Sequence, residues 1–118
     1  MTEATVVRSV VLPAYNEETY IKTMVERTIR ACEARTDPFE VIVVDNASSD
    51  STPFIVSQIA LDDSRVRLIR HPDNKLYAGS CATGAGAARG DRVFIIDSDG
   101  QHDPADVWVI DQKLDQGY

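Results

Sequence analysis

Two short runs, Val41-Ile42-Val43-Val44 and Val93-Phe94-Ile95-Ile96, are apolar at every position. Side chains of a strand point alternately to opposite faces, so a strand with one wet face alternates apolar and polar residues. Runs that are apolar on both faces suit a parallel sheet covered by helices on both sides. Two further runs, Val6–Leu12 (ended by Pro13) and Val66–Ile69, bring the predicted strands to four. Helical patterns fill the intervals. Glu17–Arg35 carries Ile21, Met24, Val25, Thr28 and Ile29 at helical spacing, with Asn16 as its predicted N-cap. Thr52-Pro53 is a cap followed by proline at the first helical position, opening a helix to about Leu61. Leu76–Arg89 is a small-residue helix that Gly90 ends, and Asp103-Pro104 opens a last helix to about Gln116. This alternation predicts an α/β fold: a Rossmann-like, mostly parallel sheet with helices on both faces and right-handed crossovers.

Ligands of such sheets sit beyond the carboxyl ends of the strands. Those positions read Pro13-Ala14-Tyr15-Asn16-Glu17, Asp45-Asn46, Arg70-His71 and Asp97-Ser98-Asp99. Three of the four segments carry carboxylates. The chain of 118 residues has room for one compact domain, and its formal charge is −7. That balance lacks the basic footprint of nucleic-acid binding. It also means that a phosphorylated ligand needs local help, from a cation or from backbone N–H groups. No apolar run reaches the ~18 residues of a membrane span. No signal peptide is visible, which predicts a cytoplasmic protein. The two cysteines, Cys32 and Cys81, fall in helical stretches and lack a CxxC spacing, so both are expected to be reduced, packed thiols.

Several chemistries are excluded by context. Gly84, Gly86 and Gly90 are spaced GxGxxxG and come late in a helix, whereas a dinucleotide fingerprint follows a strand and opens a helix. Ile95-Ile96-Asp97-Ser98-Asp99-Gly100 resembles the first motif of haloacid-dehalogenase-type phosphatases. Gln101 stands where those need a hydroxyl, and too few residues follow Asp99 to supply their remaining groups. The histidines His71 and His102 and the cysteines have no zinc-like spacing. A nucleotidyltransferase would have a glycine-rich first loop, and here that loop is Pro-Ala-Tyr-Asn-Glu.

Residues at i and i+2 of an extended segment point the same way. Asp97, Asp99 and Gln101 can therefore present oxygens to one ion. Mg²⁺ and Mn²⁺ take hard oxygen ligands, and phosphate oxygens and water would complete the shell. Such an ion neutralises a diphosphate leaving group. Gly100 lets the backbone turn tightly beside it.

Taken together, the segments resemble the family 2 glycosyltransferases of the GT-A fold. Val10–Glu18 matches that family's opening hhhPAYNEE, and Val41–Thr52 its VIVVDDGSTDGT stretch. Ala88-Arg89-Gly90-Asp91 matches AxGD, and Asp97-Ser98-Asp99 falls at the DxD. The tail Asp97–Pro104, DSDGQHDP, is similar to DADLQHPP of the dolichyl-phosphate mannosyltransferase branch. The resemblance covers nearly the whole chain. It departs from the family at Asn46, which replaces a second Asp. It departs again after Asn74, where the family's NxG and later small residue and Asn meet Leu76, Ser80 and Ala82.

The resemblance implies transfer of a sugar, with inversion, from a nucleotide-diphosphate donor to an acceptor such as a polyprenyl phosphate. It implies that Pro13, Ala14, Tyr15, Glu17, Asp45, Asp97 and Ser98 contact the donor, Asp45 at its base or ribose. Asp97, Asp99 and Gln101 would hold Mg²⁺ or Mn²⁺. Family catalytic domains are longer, so residues 1–118 are expected to be the nucleotide-sugar-binding half. The catalytic base and the acceptor-side residues are expected outside it. The alternative is a catalytically incomplete α/β module that binds nucleotide sugar or a partner chain. A sheet cut after its fourth strand would leave apolar surface that self-association could hide.

Overall fold

The computed structural model describes residues 5–97. It contains four strands and three helices in strict alternation: β1 Arg8–Ala14, α1 Ile21–Glu33, β2 Phe39–Asp45, α2 Thr52–Asp62, β3 Val66–Arg70, α3 Leu76–Ala87 and β4 Arg92–Ile95. The strands form one sheet in the order β3-β2-β1-β4, and every pairing is parallel. The helix expected from Asp103 lies outside the described residues.

The sheet is covered as its sequence demands. On one face Val10, Leu12, Val41, Val43 and Phe94 pack with Ile21, Met24 and Val25 of α1 and Val56 of α2. On the other, Val11, Ile42 and Val44 form a smaller cluster with Ile69, Ala87 and Ala88. There α3 lies so close against β1 that a Cβ added at Gly84 would overlap Val11 Cγ1. Gly84 therefore serves packing, as expected, whereas Gly86 faces open space. Among the described residues no helix is long and apolar enough to cross a membrane.

Several expectations need correction. Pro13 does not end β1 but lies inside it. The carbonyl of Val11 accepts from Ile96 N on the β4 side, while that of Ala14 accepts from Asn46 N on the β2 side. Pro13 shares the parity of Val11, so its missing N–H faces the side where pairing with β4 has already stopped. Second, α1 begins at Ile21, not at Glu17, and Asn16 is not its cap. Asn16 takes a left-handed φ of 51°. The amides of Asn16, Glu17 and Glu18 donate instead to Ser48 Oγ, Thr52 Oγ1 and Asp50 Oδ2 of the β2–α2 connection. The left-handed residue and these ties to the β2–α2 connection hold Asn16–Glu18 in a turn that precedes the helix. Third, β4 is not buried on both faces among the described residues: Val93 and Ile95 are 41% and 42% exposed. They share the α3 face, but α3 packs over β1 and β2.

The Ala88–Asp91 segment is anchored beneath the sheet's amino edge. Glu40 accepts from Ser9 Oγ at 2.6 Å, from Arg89 N at 2.7 Å and from Arg67 Nε at 3.1 Å. Burial alone would raise the Glu40 carboxyl. The Ser9 and Arg89 hydrogen bonds and the Arg67 guanidinium outweigh it and hold the group below its usual range. Gly90 passes so close to β1 that an added Cβ would meet Ser9 Oγ at 2.8 Å and the Arg8 carbonyl carbon at 2.9 Å. Gly90 therefore does not cap α3, which ends at Ala87 with Ala88 as its cap, but lets β4 start against β1.

Candidate functional site

Strand order reverses its direction of growth between β1 and β4. At their carboxyl ends the structure opens a cleft of about 500 Å³, a size that suits a small-molecule site. Pro13, Ala14, Tyr15 and Glu17 line it from the end of β1, and Asp97 from just beyond β4. Asn46 closes it beyond β2, while Asn74, Leu76, Tyr77 and Ser80 descend from the start of α3. A hollow of about 630 Å³ at the opposite edge is larger. Two of its arginines are already occupied, however: Arg65 pairs with Glu33 and Asp63, and Arg67 with Glu40. The cleft, by contrast, contains a polar group that lacks a partner. Ser80 Oγ is buried and has no hydrogen-bond partner among the described residues.

Five residues named from the sequence, Pro13, Ala14, Tyr15, Glu17 and Asp97, meet at this cleft. Asp45 lies behind it. Its side chain is fully buried, Oδ2 accepts from Ser48 N at 3.3 Å, and Oδ1 has no partner among the described residues. The guanidinium of Arg70 approaches Asp45 to 3.8 Å. It is Asn46, one position on, that lines the cleft. Ser98, Asp99 and Gln101 lie outside the described residues.

Tyr77 was not named as a site residue from the sequence, yet it contacts one that was. Its O–H donates to Asp97 Oδ1 at 2.7 Å. That hydrogen bond, followed by burial, raises the phenol above its usual range. Asp97 is thereby oriented from across the cleft. Asn74 likewise joins through its side chain, accepting from Asn46 Nδ2 at 3.0 Å and from Leu76 N at 2.7 Å. Leu76 has a left-handed φ of 64° and its side chain stands out at the rim. The sequence signal was the departure from NxG: Leu76 occupies the glycine position, and its backbone adopts a glycine conformation.

Among the described residues no group of three His, Cys, Asp or Glu side chains could hold a metal ion. The described carboxylates of the cleft, Glu17 and Asp97, are hard oxygen donors. Their chemistry fits Mg²⁺ or Mn²⁺ and does not fit a thiophilic ion.

The family profile described as "Glycosyl transferase family 2" matches residues 9–117. Among curated proteins, the chain is 36% identical over 112 residues to undecaprenyl-phosphate 4-deoxy-4-formamido-L-arabinose transferase of Pectobacterium carotovorum. The match covers 93% of this chain and 34% of that protein. It is 42% identical over 101 residues to glycosyltransferase AglD of Haloferax volcanii, covering 83% of this chain and 16% of AglD. Among solved structures, it resembles mannosyltransferase PcManGT of Pyrobaculum calidifontis, crystallised with GDP-Man and Mn²⁺. There the TM-score is 0.70 and the identity 31%, over 78% of this chain and 27% of that one. The chain thus spans about a third or less of the proteins it matches.

Proposed function

The chain belongs to glycosyl transferase family 2 and has the GT-A fold, and from that premise we propose that its cleft binds a nucleotide-diphosphate sugar. On this reading residues 1–118 are the donor-binding part of an inverting glycosyltransferase whose acceptor is a polyprenyl phosphate. The observation that carries the proposal is the convergence of Tyr15, Glu17, Asn46 and Asp97 at the carboxyl ends of β1, β2 and β4. The named acceptor of the Pectobacterium relative and the GDP-Man and Mn²⁺ of the Pyrobaculum structure support the donor and acceptor classes.

The roles follow from placement. Asn46 and Asn74 offer polar groups to the nucleoside, and the half-exposed Tyr15 ring offers it an apolar face. Asp97, oriented by Tyr77 and joined by Asp99 and Gln101, would hold a divalent cation against the diphosphate. That ion supplies charge neutralisation as the bond between the sugar and the diphosphate breaks. A chain of net charge −7 has little else to offset a diphosphate. The acceptor oxygen forms its bond to the anomeric carbon from the face opposite the leaving group, which inverts the configuration. A phosphate acceptor is already an anion near neutral pH, so the donor-binding half need not supply a base.

Sugar transfer tests the reading directly. The full natural protein, given radiolabelled UDP- and GDP-sugars with undecaprenyl phosphate in detergent and Mn²⁺, is expected to move label into the lipid phase. Label that stays with the nucleotide in every combination would contradict the acceptor assignment.

A further inference from the structure

One network at the cleft has its hydrogen-bond polarity fixed by the backbone. Lys75 N, which can only donate, points at Asn46 Oδ1 at 2.8 Å. That contact assigns the Asn46 amide: this atom is the oxygen. His71 Nδ1 lies 3.0 Å from the same oxygen and must therefore carry a proton. Its Nε2 lies 2.8 Å from Thr83 Oγ1, so in the neutral ring the threonine hydroxyl donates to Nε2. On the other side Leu76 N donates to Asn74 Oδ1, which makes that atom an acceptor for Asn46 Nδ2. The imidazole is buried, and its own backbone N–H is tied to the Asp45 carbonyl at 2.9 Å.

Asn46 Oδ1 thus receives two donors, which fills its two lone-pair sites. One Nδ2 hydrogen goes to Asn74. The second has no acceptor among the described residues, and Asn46 lines the cleft. What Asn46 can give a ligand is an N–H. Asn46 directly follows β2, two strands away from Asp97 just beyond β4. That is about 9–10 Å at normal strand spacing, a span that fits a ribose between diphosphate and base.

Resting on the donor-binding reading above, we propose that His71 is a positioning residue for the nucleobase. Held by Thr83, it locks Asn46 so that the site offers the base an N–H donor and selects a base edge presenting an acceptor. A carboxylate at this position would offer the opposite polarity, and the donors of His71 and Lys75 would compete for it with the ligand.

The test uses the full natural protein, titrated with UDP, GDP and the base-free ribose 5-diphosphate. His71→Leu keeps the buried volume but removes both ring nitrogens. It is expected to weaken the tighter of the two nucleotides about tenfold, the usual worth of a lost hydrogen bond, and to leave ribose 5-diphosphate unchanged. His71→Asn can place an N–H where Nδ1 stood and is expected to restore affinity to within about twofold. Unchanged nucleotide affinity in His71→Leu would overturn the proposal. So would an equal loss for ribose 5-diphosphate, which marks general damage to the fold. A wild-type protein that binds UDP, GDP and ribose 5-diphosphate equally well does not read the base, which overturns this proposal alone. A wild-type protein that binds none of the three overturns the donor-binding reading on which it rests.

Discussion

Ala47 and Leu76 both adopt left-handed backbone, at φ of 63° and 64°. Both stand where the family resembled by this sequence carries glycine, in VIVVDDGSTDGT and in NxG. An L side chain in that region is strained by about 1–2 kcal/mol, whereas glycine enters it freely. Leu76 is 75% exposed, so little packing would be lost with its side chain. Ala47→Gly and Leu76→Gly are each expected to raise the unfolding free energy by about 0.5–1 kcal/mol, once glycine's greater freedom in the unfolded chain is subtracted. Denaturant titration would show this as a higher midpoint at unchanged slope. A second residue-scale expectation concerns the thiols. Burial pushes Cys32 up to about 12, which leaves almost no thiolate at neutral pH. Cys81 is half-buried. Mass spectrometry after alkylation of the native protein should find Cys81 labelled well before Cys32.

At the scale of elements, two close approaches hold the sheet in register. Gly84→Ala drives a methyl into Val11 on β1 and is expected to destabilise by about 1–3 kcal/mol, as overpacking does. Glu40 fastens the turn before β4 to β1 and β3 through Ser9, Arg89 and Arg67. Its folded carboxyl lies below the ordinary value of 4.5. The stability it contributes is therefore complete above that value and is lost as pH falls through the lower folded one. Glu40→Gln is expected to cost about 2 kcal/mol near neutral pH. Melting curves of the two proteins should converge as the pH drops below the carboxylate range; a constant gap would contradict this account. The seven described elements follow the order read from apolar periodicity, because burial on a two-sided sheet leaves that mark locally. Their ends were less legible. The start of α1 follows the left-handed turn at Asn16 and the ties of Asn16–Glu18 to Ser48, Thr52 and Asp50, some thirty residues away in sequence, which no local pattern in Glu17–Tyr20 encodes. Pro13 is tolerated because of where β4 stops, which is equally a property of the neighbour.

For the molecule as a whole, the site was half legible. Pro13, Ala14, Tyr15, Glu17 and Asp97 carry their role in strand-end motifs, and the parallel topology brings them to one edge. Asn74, Tyr77 and Ser80 reach the cleft only because α3 folds back over β1 and β2, a contact that the small residues of Leu76–Ala87 permit but do not announce. Asp45 shows the converse: a motif residue that is buried behind the lining while its neighbour Asn46 lines the cleft. The central claim is that these residues form a nucleotide-diphosphate-sugar site dependent on a cation near Asp97. Calorimetric titration of the full natural protein with UDP- and GDP-sugars, in Mn²⁺ and in chelator, tests it most directly. The account predicts binding of at least one donor that weakens about tenfold or more in chelator, with Asp97→Ala losing that metal-dependent part. A folded protein that binds no donor, or an Asp97→Ala variant whose binding keeps its full response to Mn²⁺, would contradict it.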